Sequence, residues 1–422
     1  MEPGIATTPA TIMIGSVFDS ISWRSWLIQM ATFVLASLTL FITLILASFP
    51  EVGFPCFYGT IVDYNSVNTS KLINGVFISQ RYGDISPTLF FETSTTVAFF
   101  YMMTLGILIL ACYLITAALM IRRELRSSSN MRGSASRVSS MISPPATILL
   151  GTLAQWLLQA SIVLLAHKLI VLAAIIYIAH FFILSLFCIY FTCLGITSSQ
   201  YSLNLRAIKT ANPRLHGILG PTRAVMVNIV LGIMGLSIAT TSLMVGMIIA
   251  NSFHITLWQT TSVAIGIFVF LAIIYVIFGE VMLSYYIHVL PAPAFSIIIA
   301  CGAMGVTAND YFDRFYVEVA SQHQSIILGT KLALAIVASI AVIMLVIRCV
   351  RACLYHRGKQ TNFYDNVQYV KANMKNYIGR KRGRSKQSKL YRDKDLLLSD
   401  AHDDEVIYDS VTPDEYRDSF YK

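Results

Sequence analysis

Apolar runs long enough to cross a lipid bilayer dominate the chain. Trp26 to Phe49 carries no charged side chain, and comparable stretches recur at Thr93–Ile121, Thr147–Ala166, Leu169–Ile196, Ala224–Ala250, Ile255–Phe278 and Leu328–Val350. A hydrocarbon core of about 30 Å is crossed by roughly 20 helical residues. Pro291 and Pro293 precede a shorter apolar run, Phe295 to Thr307, which reads as a short seventh span beginning near Ala292 and brings the total to eight. Hydrophobic residues make up 56% of the chain and charged ones only 13%, too apolar a mix for one aqueous core. The predicted fold class is all-α: a polytopic membrane protein with about eight transmembrane helices.

Eight spans put both termini on one side, and the distribution of Lys and Arg selects which side. With N and C termini cytosolic, 26 of the 31 basic residues fall inside; only Lys71, Arg81, Lys168, Arg314 and Lys331 fall outside. A seven-span arrangement would place either the Arg122–Arg137 loop or the C-terminal tail on the wrong face. The first span lacks a cleavage pattern of small residues and reads as a retained signal anchor. Only His167 and Lys168 separate the third and fourth spans, which must form an antiparallel hairpin. The organisation that follows is a cytosolic N-terminus (1–25), an eight-helix membrane domain (26–350) with a large outside loop (50–92), and a soluble tail (351–422) expected to be disordered. The two sets of four spans show no internal repeat.

The net charge of +9 would suggest nucleic acid only if it gathered on a soluble domain. Most of it instead lies at inner borders and in a tail that also holds eleven acids, so nucleic acid is not an expected partner. No Gly-rich phosphate loop, nucleophile elbow or metal-ligand spacing occurs, so neither an enzyme nor a cofactor is expected. Intramembrane ionisable groups are few. His180 reads as a hydrogen-bonding packer between helices rather than a proton relay, and Glu280 and His288 as interfacial residues at the inner face rather than a catalytic pair. A channel, transporter or receptor whose pathway is lined by His180 and Glu280 is the alternative function class. Small residues at four-residue spacing, Gly235 with Ala239, Gly246 with Ala250, Gly329 with Ala333 and Ala335 with Ser339, would allow close helix packing.

The outside loop and the tail carry the candidate sites. Cys56 is the one cysteine in the outside compartment, amid two prolines, two glycines and three aromatics. It points to an intermolecular disulfide, with a free or buried thiol as the alternative. Asn68-Thr69-Ser70 is an N-glycosylation sequon on the same loop. In the tail, Tyr364 with Val367 and Tyr408 with Val411 match the tyrosine-x-x-bulky pattern that clathrin adaptors bind as an extended strand, and Asp393 with Leu397 and Leu398 has acidic-dileucine spacing. Cys349 and Cys353 at the inner border are candidates for S-palmitoylation.

Several of these features together resemble the herpesvirus envelope glycoprotein M family over about residues 20–355. They are Trp23-Arg24-Ser25-Trp26, Phe49-Pro50, Gly53-Phe54-Pro55-Cys56, Val62-Asp63-Tyr64, the sequon at Asn68, Ser86-Pro87-Thr88-Leu89 and Ile347-Arg348-Cys349. The resemblance implies a viral envelope protein paired with glycoprotein N, a small single-span partner, through a disulfide at the position of Cys56. It further implies roles in partner maturation, retrieval of envelope proteins, secondary envelopment, egress and modulation of fusion. The compartments implied are the virion envelope, the host Golgi and trans-Golgi network, endosomes, the plasma membrane and the inner nuclear membrane, with tegument proteins as a natural bridge from tail to capsid. The tail differs widely across that family, so its motifs stand on their own.

Overall fold

The computed structural model describes residues 9–49, 94–127, 135–167, 169–197, 212–253, 257–283, 292–316 and 320–359, together with Leu205, Ile208 and Lys209. Their secondary structure is helical throughout. In order the helices are α1 (Pro9–Ser48), α2 (Ser94–Ser127), α3 (Ala135–Ile142), α4 (Pro145–Ala166), α5 (Ile170–Thr197), α6 (Pro213–Gly217), α7 (Arg223–Phe253), α8 (Leu257–Leu283), α9 (Ala292–Tyr316) and α10 (Ala320–Lys359). A π-helical turn, Ile218–Thr222, runs α6 into α7 around Pro221. The chain divides into two units after Ala352, the second beginning at Cys353.

Seven of these helices are long and apolar enough to cross a membrane. The seventh of the eight expected spans differs from the rest. Helix α9 starts at Ala292 as expected, and among the described residues its apolar part is the short Pro293–Gly305. Two boundaries also move. Helix α1 begins at Pro9, within the segment assigned to the N-terminus, although its membrane-length apolar part is Ser22–Ser48. Helix α10 runs through the expected boundary at residue 350 as far as Lys359. Nothing between 350 and 359 breaks a helix, so the end of the apolar run is not the end of the helix. The hairpin of α4 and α5 is as expected: α4 ends at Ala166, and its Ser161 hydroxyl donates to the Ala173 carbonyl of α5 at 2.9 Å.

Helix α7 is the post around which the others stand. It packs against α2, α5, α8 and α9, and 83% of its most apolar window is buried. Its middle turns, Ser237-Ile238-Ala239-Thr240-Thr241-Ser242, are small or hydroxylated except for Ile238, and all are buried. Small side chains let neighbouring backbones approach closely. Within lipid each hydroxyl needs an internal acceptor. Thr241 donates to the Ser237 carbonyl (2.6 Å), Ser242 to that of Ala239 (2.6 Å), and Thr240 to that of Leu236 (3.4 Å), while the Ser237 hydroxyl meets Tyr177 Oη of α5 at 3.2 Å. A polar seam joins α1 to α4 in the same way. Ser37 donates to Gln155 Oε1 (2.9 Å) and Gln159 Nε2 donates to Thr43 Oγ1 (2.9 Å). Gly151 of α4 sits where a Cβ would come within 2.8 Å of the Phe33 ring and 3.0 Å of Phe187, so the glycine admits two aromatic rings.

The small-residue pairs divide into two kinds. At Gly235 a Cβ would lie 2.0 Å from Ser296 Oγ and 2.8 Å from Ser296 Cβ, so the glycine brings α9 against α7. At Gly329 a Cβ would meet nothing within 4 Å, and Ala335 and Ser339 on the same helix are exposed. The expected close packing holds for Gly235, while among the described residues the α10 pairs face no neighbour. Gly235→Leu should therefore lower the thermal unfolding midpoint of the detergent-solubilised protein, with a cost of about 1–3 kcal/mol for overpacking. Gly329→Leu should leave that midpoint within error. Equal midpoints for the two variants would refute the α7–α9 contact.

Candidate functional site

Two arginine-centred clusters lie at the end of the bundle where α5 and α8 finish and α7 begins. Arg223, the first residue of α7, is 3% exposed. Its Nη2 donates to the Phe191 carbonyl of α5 at 2.7 Å, its Nε donates to the Ile142 carbonyl at the end of α3 at 3.3 Å, and its guanidinium lies 5.3 Å from the Phe191 ring centroid. A cation over an aromatic face that also holds two carbonyls ties α3, α5 and α7 together. The positive-inside reading treats Arg223 as one more loop charge. No spacing in the sequence distinguishes it, because both of its carbonyl acceptors belong to distant segments.

A second cluster joins α8 to α10. Glu280 accepts from Arg348 Nε (3.0 Å) and Nη2 (2.8 Å) through Oε2, and from Arg351 Nη1 (2.7 Å) through Oε1. The i, i+3 spacing of the two arginines puts both guanidiniums on one side of α10. The Arg348 side chain is 10% exposed, Glu280 18% and Arg351 52%, so one partner is buried and the other wet. Glu280 is thus a partly buried ion-pair centre, with partners the sequence does not reveal. His288 lies outside the described residues. His180 is 1% exposed, and its Nδ1 lies 2.8 Å from the Ala154 carbonyl across the hairpin, which makes it the interhelical hydrogen-bonder expected. Its ring also packs on Tyr177, 5.2 Å between centroids. His180 and Glu280 belong to separate contacts, one across the hairpin and one between α8 and α10.

Two cavities flank α8 near this end. A crevice of about 240 Å³ is formed by α5, α7 and α8. A cleft of about 30 Å³ lies between α8, α9 and α10 and includes Glu280 and Arg348, and Gly279 lines both. Among the described residues, no group of three or more His, Cys, Asp or Glu could hold a metal ion. Cys349 and Cys353 carry free, exposed thiols. Cys56, Asn68, Tyr364, Val367, Asp393, Leu397, Leu398, Tyr408 and Val411 lie outside the described residues.

These long apolar helices define a multi-pass, all-helical membrane protein. No solved structure matches it. The family described as herpesvirus glycoprotein M matches residues 19–367. Envelope glycoprotein M of equine herpesvirus 1 is 40% identical over 100% of this chain and 94% of its own length. That of suid herpesvirus 1 is 39% identical over 93% of this chain and 98% of its own length, and that of varicella-zoster virus (strain Dumas) is 36% identical over 90% and 86%. The chain belongs to the herpesvirus envelope glycoprotein M family, whose members are structural envelope proteins.

The carboxylate of Glu280 pairs with two cations of very different burial, which orders the effects of removing them. Glu280→Gln, which leaves Arg348 without its ion partner, should destabilise the protein by about 2–4 kcal/mol. Arg351→Gln removes a half-exposed pair and should change stability by at most about 1 kcal/mol. Thermal unfolding in detergent checks the order, and a larger loss for Arg351→Gln would contradict the burial of Arg348.

Proposed function

We propose that this envelope protein is a membrane scaffold whose outside loop binds glycoprotein N, through a disulfide at Cys56, and whose tail recruits host sorting machinery. The observation that carries the reading is the family match across residues 19–367, which includes the whole outside loop and its single cysteine. The internal pairing of the intramembrane polar groups supports a packed scaffold rather than a conduit: His180 is bonded to backbone and Glu280 is held by two arginines. On this reading the partner's maturation depends on the complex. The tyrosine motifs at Tyr364 and Tyr408 and the dileucine at Leu397-Leu398 return the protein through clathrin adaptors to endosomes and the trans-Golgi network. The accumulated envelope proteins then serve secondary envelopment, egress and the control of fusion, with tegument proteins meeting the tail. The same reading puts a glycan on Asn68, acyl groups on Cys349 and Cys353, and a fraction of the protein at the plasma and inner nuclear membranes.

In non-reducing gels of infected cells, wild-type protein should migrate as a larger species that reduction converts to the monomer with release of a small membrane protein. Cys56→Ser should abolish that species. Identical migration of wild type and variant would remove the covalent link. Tyr364→Ala combined with Tyr408→Ala should raise the surface fraction severalfold, measured by antibody uptake, and an unchanged distribution would end the sorting proposal. Enzymatic removal of N-glycans should increase mobility in wild type and leave Asn68→Gln unaffected.

A further inference from the structure

The crevice between α5, α7 and α8 has three properties that together specify an occupant. The first is dryness. Its floor is formed by buried Cys188, Leu231, Met234 and Tyr275, and the polar side chains in its wall are already engaged. Tyr275 Oη donates to the Leu231 carbonyl, Thr192 Oγ1 to that of Cys188, Ser185 Oγ to that of Phe181, and Cys188 Sγ to that of Val230. A ligand entering this space finds alkyl and aromatic surface and few open hydrogen-bonding positions, which suits a hydrocarbon chain.

The second property is length. The lining residues run from Phe181 to Thr192 on α5, from Ile238 back to Leu231 on α7, and from Leu271 to Gly279 on α8. On α5 and α8 these positions extend from the middle to within about one turn of the end on the arginine-rich side, whereas on α7 they stop at Leu231, about two turns short of Arg223. Phe181 to Thr192 is about 16 Å of helix rise. That is one leaflet of a hydrocarbon core about 30 Å thick. A partner's transmembrane helix would need a groove through both leaflets, whereas a single acyl chain needs one. The half-exposed Ile274 and Phe278 form the rim, so the crevice opens sideways into lipid.

The third property is charge. At its arginine-rich end the crevice shares Gly279 with the neighbouring cleft, whose wall carries Glu280 and Arg348, and the same carboxylate also pairs with Arg351. The excess positive charge resides on Arg351, whose side chain is 52% exposed, and it complements an anionic headgroup. We propose that the crevice and the cleft beside it form a binding site for an anionic phospholipid of the cytosolic leaflet, one acyl chain against Met234 and Tyr275 and the headgroup phosphate beside Arg351.

The test uses the full-length protein in nanodiscs of phosphatidylcholine containing a small fraction of phosphatidylserine with a diazirine midway along one acyl chain. After illumination, peptide mass spectrometry should find label concentrated on 181–192 and 271–279, about tenfold above the exposed α4 surface at Leu149 and Trp156, the ratio of a specific site over boundary lipid. Unlabelled phosphatidylserine should compete about fivefold better than phosphatidylcholine, the effect of one cation at the membrane surface, and Arg351→Gln should remove that preference while labelling persists. Gly279→Leu, which projects into open space, should suppress the label at both peptides without lowering the unfolding midpoint. Phe278→Ala widens the rim and should increase labelling. Label spread evenly over the lipid-facing helices, labelling indifferent to these variants, or cross-links from the crevice to a second polypeptide in place of lipid would each overturn the proposal.

Discussion

Hydrocarbon offers no hydrogen bonds, so each polar group that a membrane chain carries across it must find its partner within the protein. The rest of this structure follows from that requirement. Backbone groups are satisfied by helix formation, which is why the described residues are helical. Side-chain hydroxyls on α7 return to carbonyls three or four residues earlier, so a helix rich in Ser and Thr can stand in the middle of the bundle. The Gln155 and Gln159 amides meet hydroxyls of α1, and His180 takes a carbonyl of α4. The bonds of Gln155, Gln159 and His180 also set the register between two helices, because a misaligned pair would leave a polar group facing lipid.

Charge obeys the same requirement at the arginine-rich end. Arg223 is enclosed by two carbonyls and a ring, and Arg348 by a carboxylate, so neither remains a free intramembrane cation. The two clusters hold different helices. Arg223 gathers α3, α5 and α7 within the core, whereas Glu280 binds α8 to α10, the least buried of the long apolar helices at 22%. In an envelope glycoprotein M these are structural devices that fix the packing of the bundle.

Much of the fold was legible in the sequence because the bilayer imposes a ruler. The apolar runs marked the spans, and the close His167-Lys168 turn marked the hairpin. Where the ruler gave no information, the reading shifted. Helices α1 and α10 continue beyond their apolar runs, since hydropathy reports where lipid ends and not where helical hydrogen bonding ends. Helix α9 is longer than its apolar part for the same reason. Four-residue spacing of small residues was an incomplete signal: it located a close approach at Gly235 but could not tell that face from the exposed one at Gly329. The cationic clusters were invisible for another reason. Arg348 and Glu280 are 68 residues apart and Arg223 and Ile142 are 81, and no local pattern encodes such pairs.

The position of α7 has a consequence in time. It is less apolar than five of the other long helices, yet it is the most enclosed of them. Two of its neighbours, α2 and α5, precede it in the chain, and two, α8 and α9, follow. When this helix leaves the ribosome, half of its eventual surroundings already stand in the membrane. Its hydroxylated turns can therefore pass from the aqueous path of synthesis into a prepared protein surface, and the later helices close over the side still open.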